Sequence, residues 1–216
     1  MEFCDVHQKS VAEMFHDPFC AEILNKLESE LSENFIYHSV NHTKDVISEA
    51  LLFALLDGIS GRDLQILATA AAFHDAGYMV RYYGHEEESV KIFIETKEKY
   101  PTFFSNTEVS TIIAMILDTK INEDVSKPLH TCTMPLSKYL VDGDMSNLGR
   151  DDFYQKSNLV MEEVRAVTQC EIPEKDFLNS VQMLLLHHQW YSDSAKRLRE
   201  EGKARNLHAI KLFRIF

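Results

Sequence analysis

The chain has 216 residues, 26% of them charged, and a net charge of −12. That length suits one packed domain spanning 1–216, and the acidic balance excludes the basic stripe of a nucleic-acid binder. No apolar run approaches the roughly 20 residues that cross a bilayer, so no membrane contact is expected. The longest such run, Ala50 to Leu56, is one helix face. The opening Met1-Glu2-Phe3-Cys4-Asp5 lacks the basic and apolar regions of a signal peptide, and a cytoplasmic protein is expected. Cys4, Cys20, Cys132 and Cys170 contain no Cys-x-x-Cys spacing, which speaks against a structural zinc knuckle and for reduced thiols.

Apolar residues recur at three and four along nearly the whole chain, the spacing of amphipathic helices. Ile23, Leu24, Leu27 and Leu31 mark the first. Val46, Ala50, Leu51, Ala54 and Leu55 mark the next, ending near Asp57-Gly58. Gly61-Arg62-Asp63 opens a third, with Asp63 as N-cap and Gly77 as stop. Glu86-Glu87-Glu88 reads as the acidic first turn of a helix that Pro101 breaks. Val109, Ile112, Ile113, Ile116 and Leu117 form another face. Asn122 to Pro135 reads as a loop long enough to be functional. Pro135 opens a helix from Leu136 to Leu148. Further helices are expected from about Asp151 to Thr168, from Glu174 to about Glu200, and from near Asn206. The expected fold is all-α, compact, with about eight to ten helices.

Four side chains stand out against this pattern. His42 leads to Val46 and Ala50 on a core-facing stripe. His74 lies three beyond Ala71 at the end of an apolar helix, with Asp75 beside it. Asp144 lies four beyond Leu140. An ionised carboxylate among apolar positions is costly unless a cation meets it. Two imidazoles and two carboxylates form a ligand set for a divalent metal with positions left open for water and substrate. Each residue alone is more often structural; the ordered set carries the signal.

The segments Tyr37-His38-x-x-x-His42, Phe73-His74-Asp75 and Asp142-Gly143-Asp144-Met145-Ser146-Asn147-Leu148-Gly149, in that order, resemble the HD-domain metal-dependent phosphohydrolase superfamily over roughly residues 35 to 150. The C-terminal helices of 151–216 would complete the domain. The opening segment is most similar to the cyclic-nucleotide phosphodiesterase branch, with Ser39 standing where that signature has Asn. Met115-Ile116-Leu117-Asp118-Thr119-Lys120 also resembles that branch.

The resemblance implies His42, His74, Asp75 and Asp144 as metal ligands, and a catalytic group of His38, Asp75 and Lys120. His38 would be the general acid at the leaving oxygen, and Lys120 would neutralise phosphoryl charge. It implies a divalent cofactor (Mn, Mg, Fe, Co, Ni or Zn), with room for two. His85, Glu86 and Asp142 are candidates for supporting the ligands or a second metal. The expected substrate is a small-molecule phosphomonoester or phosphodiester, a nucleotide or cyclic nucleotide. The alternatives are pyrophosphate removal from a signalling nucleotide, and a non-catalytic metal- or ligand-binding regulatory module. A homodimer is allowed. Outside this set, His130 could be a lid residue of the long loop, and His188 reads as a buried structural histidine, its neighbour His187 facing elsewhere. Arg197, Arg199, Lys203 and Arg205 read as a solvated helix face.

Overall fold

The computed structural model describes residues 3–122, 124 and 126–213. Met1 and Glu2 of the opening segment, and Glu123 and Val125 of the expected loop, lie outside them. Among the described residues the fold is all-helical, with ten α-helices: α1 (Phe3–His16), α2 (Pro18–Glu30), α3 (Val40–Leu56), α4 (Arg62–Phe73), α5 (His85–Glu98), α6 (Asn106–Asp118), α7 (Ser137–Asp144), α8 (Phe153–Thr168), α9 (Glu174–His187) and α10 (Asp193–Phe213). Two 3-10 turns, Ala76–Met79 and Ser146–Gly149, follow α4 and α7. No helix among the described residues is long and apolar enough to cross a membrane.

The central helix is α3, which packs most extensively against α7 and α4. Its buried face carries His42, Val46, Ile47, Ala50, Leu51 and Ala54. Around Phe19, the rings of Phe73, Phe93 and Phe104 close one end of the core. Local chemistry fixes several helix starts. Asp17 accepts from the Phe19 and Cys20 amides ahead of Pro18, and Ser105 and Glu108 form a reciprocal capping box on α6.

Several expected boundaries shift, each for a physical reason. Helix α1 escapes the periodicity because none of its residues is buried. Gly61, not Asp63, caps α4, with φ 63°; Asp63 sits in the first turn. Gly77 is no left-handed stop. It lies in the 3-10 turn, where an added Cβ would meet the His85 carbonyl oxygen at 1.8 Å. The helix expected from Leu136 to Leu148 ends at Asp144, and Pro135 precedes its cap Leu136.

The helix expected from Glu174 to Glu200 is two helices, and the short one near Asn206 is the continuation of α10. No glycine or proline makes that break. Instead the Asp142 carboxylate, fully buried on α7, accepts from the Tyr191 amide (3.0 Å), the Ser192 amide (2.7 Å) and the Ser192 hydroxyl (2.6 Å). His188 is extended, with ψ 137°, and Ser192 Oγ then accepts from the Ala195 amide to start α10.

The contact between α3 and α7 leaves no spare volume. A Cβ on Gly143 would lie 2.9 Å from the Ala50 nitrogen and 3.1 Å from its Cα. The residues on either side of Gly143 are Asp142 and Asp144, so the approach of these two backbones sets where both carboxylates stand. Gly143→Ala is therefore expected to force α7 off α3 and to destabilise the protein by about 1–3 kcal/mol, as overpacked cores do. Urea unfolding checks this; an unchanged midpoint would show that the two helices can slide apart freely.

Candidate metal centre

His42, His74, Asp75 and Asp144 come from three separate stretches and converge. His42 Nε2 lies 3.1 Å from Asp144 Oδ1 and 3.4 Å from Asp75 Oδ2. His74 Nε2 lies 3.2 Å from Asp75 Oδ2 and 3.6 Å from Asp144 Oδ1. One atom each from His42, His74 and Asp144 falls within 4.8 Å of the others, and so does one each from His38, His42 and Asp75.

Backbone structure aims these groups. His42 is on the first turn of α3. His74 is the C-cap of α4, and its Nδ1 donates to the Ala71 carbonyl at 2.7 Å. That bond leaves Nε2 as the atom facing the carboxylates, the arrangement found in metal-ligating histidines. Asp75 follows in the bend before the 3-10 turn. Ser89 of α5 pins this bend by donating to the His74 carbonyl and accepting from the Gly77 amide. Asp144 is the last residue of α7.

The residues fit a cation. His74 Nε2 and Asp75 Oδ2 are buried without a hydrogen-bond partner, close in distance but misaligned for a bond to each other. Native interiors rarely leave such atoms unpaired, and a bound cation would engage both. The floor of the site, His42, His74 and Asp75, is nearly sealed. The side chains of Asp144 and His38, each 20% exposed, and His85, 15% exposed, form a rim open to solvent.

Without a cation, protons hold the cluster together. Burial opposes charge on His42, but the hydrogen bond to Asp144 and the negative charges of Asp75 and Asp144 outweigh it and lift the imidazole to about 8. His74 is also raised despite burial, chiefly by the charge of Asp75. Burial likewise works against the carboxylates, yet the histidines hold Asp75 and Asp144 well below their ordinary range.

The structure distributes the remaining candidates unevenly. His85 joins the cluster: Nε2 is 3.3 Å from Asp75 Oδ1, and its ring stacks on Tyr78 at 3.8 Å. Asp75 thus presents one oxygen to His42 and His74 and the other to His85. Glu86 is buried, and its Oε2, without a hydrogen-bond partner, lies 3.7 Å from His85 Nδ1. Asp142 points the other way, into the α9–α10 junction. Lys120 is exposed and pairs with Glu87 at 2.6 Å. Asp118, in the same stretch, accepts from Thr133 and Ser137 and so organises the approach to α7.

His130 is buried and pinned through its backbone to the Tyr191 hydroxyl. His187 is exposed and His188 buried. The basic run is only half a solvated face: Arg199 turns in to Glu49, and Lys203 donates to the His188 carbonyl.

His38 is placed by a residue the periodicity did not single out. It precedes α3, which begins at Val40. The Glu163 carboxylate of α8 accepts from the His38 ring Nδ1, and from the Tyr37 and His38 amides at 2.8 Å each. Glu163 is fully buried. A signal was available: Glu163 lies three beyond Val160 and four before Val167, on an apolar stripe, as Asp144 follows Leu140.

These shifts set a pH dependence for the cation-free protein. A histidine raised in the folded state stabilises fully below its ordinary value of 6.5 and loses that contribution as pH rises through about 8. A depressed carboxylate stabilises above 3.8 and loses that contribution as pH falls. Chelator-treated protein is expected to be most stable between about pH 4 and 6.5, and to lose about 2 kcal/mol from His42 alone by pH 8 and just above. Urea unfolding across that range checks the slope, and saturating Mn²⁺ should flatten it.

No family model matches the chain, and no curated protein matches it. Among solved structures, the chain is similar in fold to a Lactobacillus plantarum protein whose crystal structure was a Northeast Structural Genomics target, with a TM-score of 0.62, 14% identity, and coverage of 93% of this chain and 97% of that one.

Proposed function

We propose that the protein is a divalent-metal-dependent hydrolase of the HD-domain phosphohydrolase type, cleaving a phosphomonoester or phosphodiester bond in a small molecule. The observation that carries this reading is the convergence of His42, His74, Asp75 and Asp144, with the His74 tautomer fixed by Ala71 and two cluster atoms left unpaired.

His42, His74, Asp75 and Asp144 would hold the cation. When bound, it supplies Lewis acidity toward the phosphoryl group and water. Asp75 or Asp144 orients the attacking water and takes a proton from it, as the water oxygen bonds to phosphorus and the bond to the leaving oxygen breaks. His38 delivers a proton from Nε2 to that oxygen. Its Nδ1 is committed to Glu163, so the carboxylate fixes the ring and its tautomer through the transfer. The rim position of His38, beside His42 and Asp75, keeps Nε2 within reach of a substrate entering from solvent. Lys120, paired with Glu87, has no step here. A module that only senses a ligand need not keep a proton donor at His38, which favours catalysis over the regulatory alternative.

Metal analysis of the purified protein, paired with a phosphomonoesterase and phosphodiesterase screen in Mn²⁺ or Co²⁺, tests the reading. Asp75→Ala is expected to lose bound metal and hydrolysis together; unchanged hydrolysis would refute the mechanism. Glu163→Gln should keep the metal, lower kcat about 10–100-fold, the range for a group that orients a site residue, and shift the pH–rate profile. Equal rates in the wild type and Glu163→Gln would remove Glu163 from the positioning role; equal rates in His38→Ala would remove His38 from proton transfer.

A further inference from the structure

We propose that His188, Trp190 and Lys203, with His130 beside them, form a buried site for a small inorganic oxyanion at the junction of α9 and α10. The site uses none of the four candidate metal ligands, is closed to a bulky substrate, and stands or falls independently of the metal-centre reading.

Polar nitrogens gather at this junction without partners. His188, His130 and Trp190 are all buried. Among the described residues, neither ring nitrogen of His188, neither ring nitrogen of His130, and not the Trp190 Nε1 has a hydrogen-bond partner. Native interiors leave such atoms unpaired only rarely and singly. Side-chain and main-chain contacts bring the residues together. The His188 and Trp190 rings meet edge to face at 4.3 Å. Lys203 Nζ donates to the His188 carbonyl at 2.9 Å and stands 5.7 Å from the centre of the Trp190 ring. His130 is held against the same segment from the loop before α7: its amide donates to the Tyr191 hydroxyl, which donates in turn to the His130 carbonyl.

Charge selects the occupant. Lys203 is 8% exposed. Its one carboxylate neighbour, Glu200 at 3.5 Å, is half exposed, so solvent screens the pair. Burial pushes the His188 imidazole down to about 3, and the charged groups that add to this are Lys203 and His130, both cations when protonated. Of the two histidines only His130 feels negative groups, the Asp144 and Asp118 carboxylates and the Thr119 carbonyl. A buried ammonium without a buried counter-charge is costly. A metal ion would add to that cost, and a water molecule would leave it unmet. An anion removes it. Trp190 Nε1 and the Lys203 ammonium can only donate, and each neutral imidazole has one N–H to give. Donors from four side chains suit an oxyanion, whose several oxygens accept charge-assisted hydrogen bonds at once. An anion held there links the loop before α7, the α9–α10 junction and α10, and stabilises the folded chain by mass action.

Trp190 is the single tryptophan of the chain, so its emission reports the site directly. Chelator-treated protein is titrated with phosphate, sulfate and chloride at matched ionic strength, and the urea midpoint is measured in each. Phosphate and sulfate are expected to shift the emission saturably and to raise the midpoint, and chloride to do neither. Lys203→Met, which keeps an apolar stem over Trp190, should weaken phosphate binding roughly tenfold or more, the loss of a hydrogen bond from a charged group. His188→Phe, which keeps the edge-to-face ring pair, should weaken it in the same direction, and Lys203→Arg should retain it. A wild type unmoved by phosphate and sulfate overturns the site. So does an equal response to chloride, which would be a general salt effect. A phosphate response kept at full strength in both Lys203→Met and His188→Phe would put the anion elsewhere and overturn it too. An emission change with Zn²⁺ that persists in Asp75→Ala, with none from phosphate, would mark a cation site and end the proposal.

Discussion

Two carboxylates and two imidazoles meet at one site, three of the four nearly sealed from solvent, and positive charge is what lets them do so. Asp75 and Asp144 cannot both be ionised in that setting without it. In the cation-free protein the charge is a proton on one or both histidines, which is why His42 and His74 are raised while the two aspartates are depressed. The helices around the site serve the same requirement. Helix α3 brings His42, the end of α4 brings the adjoining His74 and Asp75, and α7 ends as it delivers Asp144.

The close packing of α3 on α7 explains why this arrangement is rigid. With Gly143 against Ala50 there is no layer of side chains between the two backbones. Asp144 is held at a fixed distance from His42 by the helices themselves, and the α5 hydroxyl of Ser89 fixes the bend that carries Asp75. Every group of the floor is thus set by main-chain geometry. On the rim Asp144 shares this, but His38 depends on Glu163, and His85 on its stacking with Tyr78.

What the sequence made legible follows from how local each cause is. The all-helical fold and the residues His42, His74 and Asp144 could be read because helical spacing and burial act within a few residues of each other. The break between α9 and α10 could not, because it is made by Asp142, about 50 residues away, through three hydrogen bonds that no neighbouring residue announces. Glu163 was missed for a related reason. Its place on the apolar stripe of Val160 and Val167 marks it as buried, but its partners lie 125 and 126 residues back and nothing local names them. Helix α1 was invisible because it covers the core without burying a residue of its own.

The reach of Glu163 and Asp142 also decides what could be cut away. The segment of about 35–150 contains every residue of the recognisable motifs, and it would be the natural choice for a minimal fragment. Excised, it would leave the His38 ring without its carboxylate, and the Asp142 carboxylate, beside Gly143, without the Tyr191 and Ser192 donors. The motif-bearing segment and the working unit are different lengths of chain, and only the longer one keeps the geometry intact.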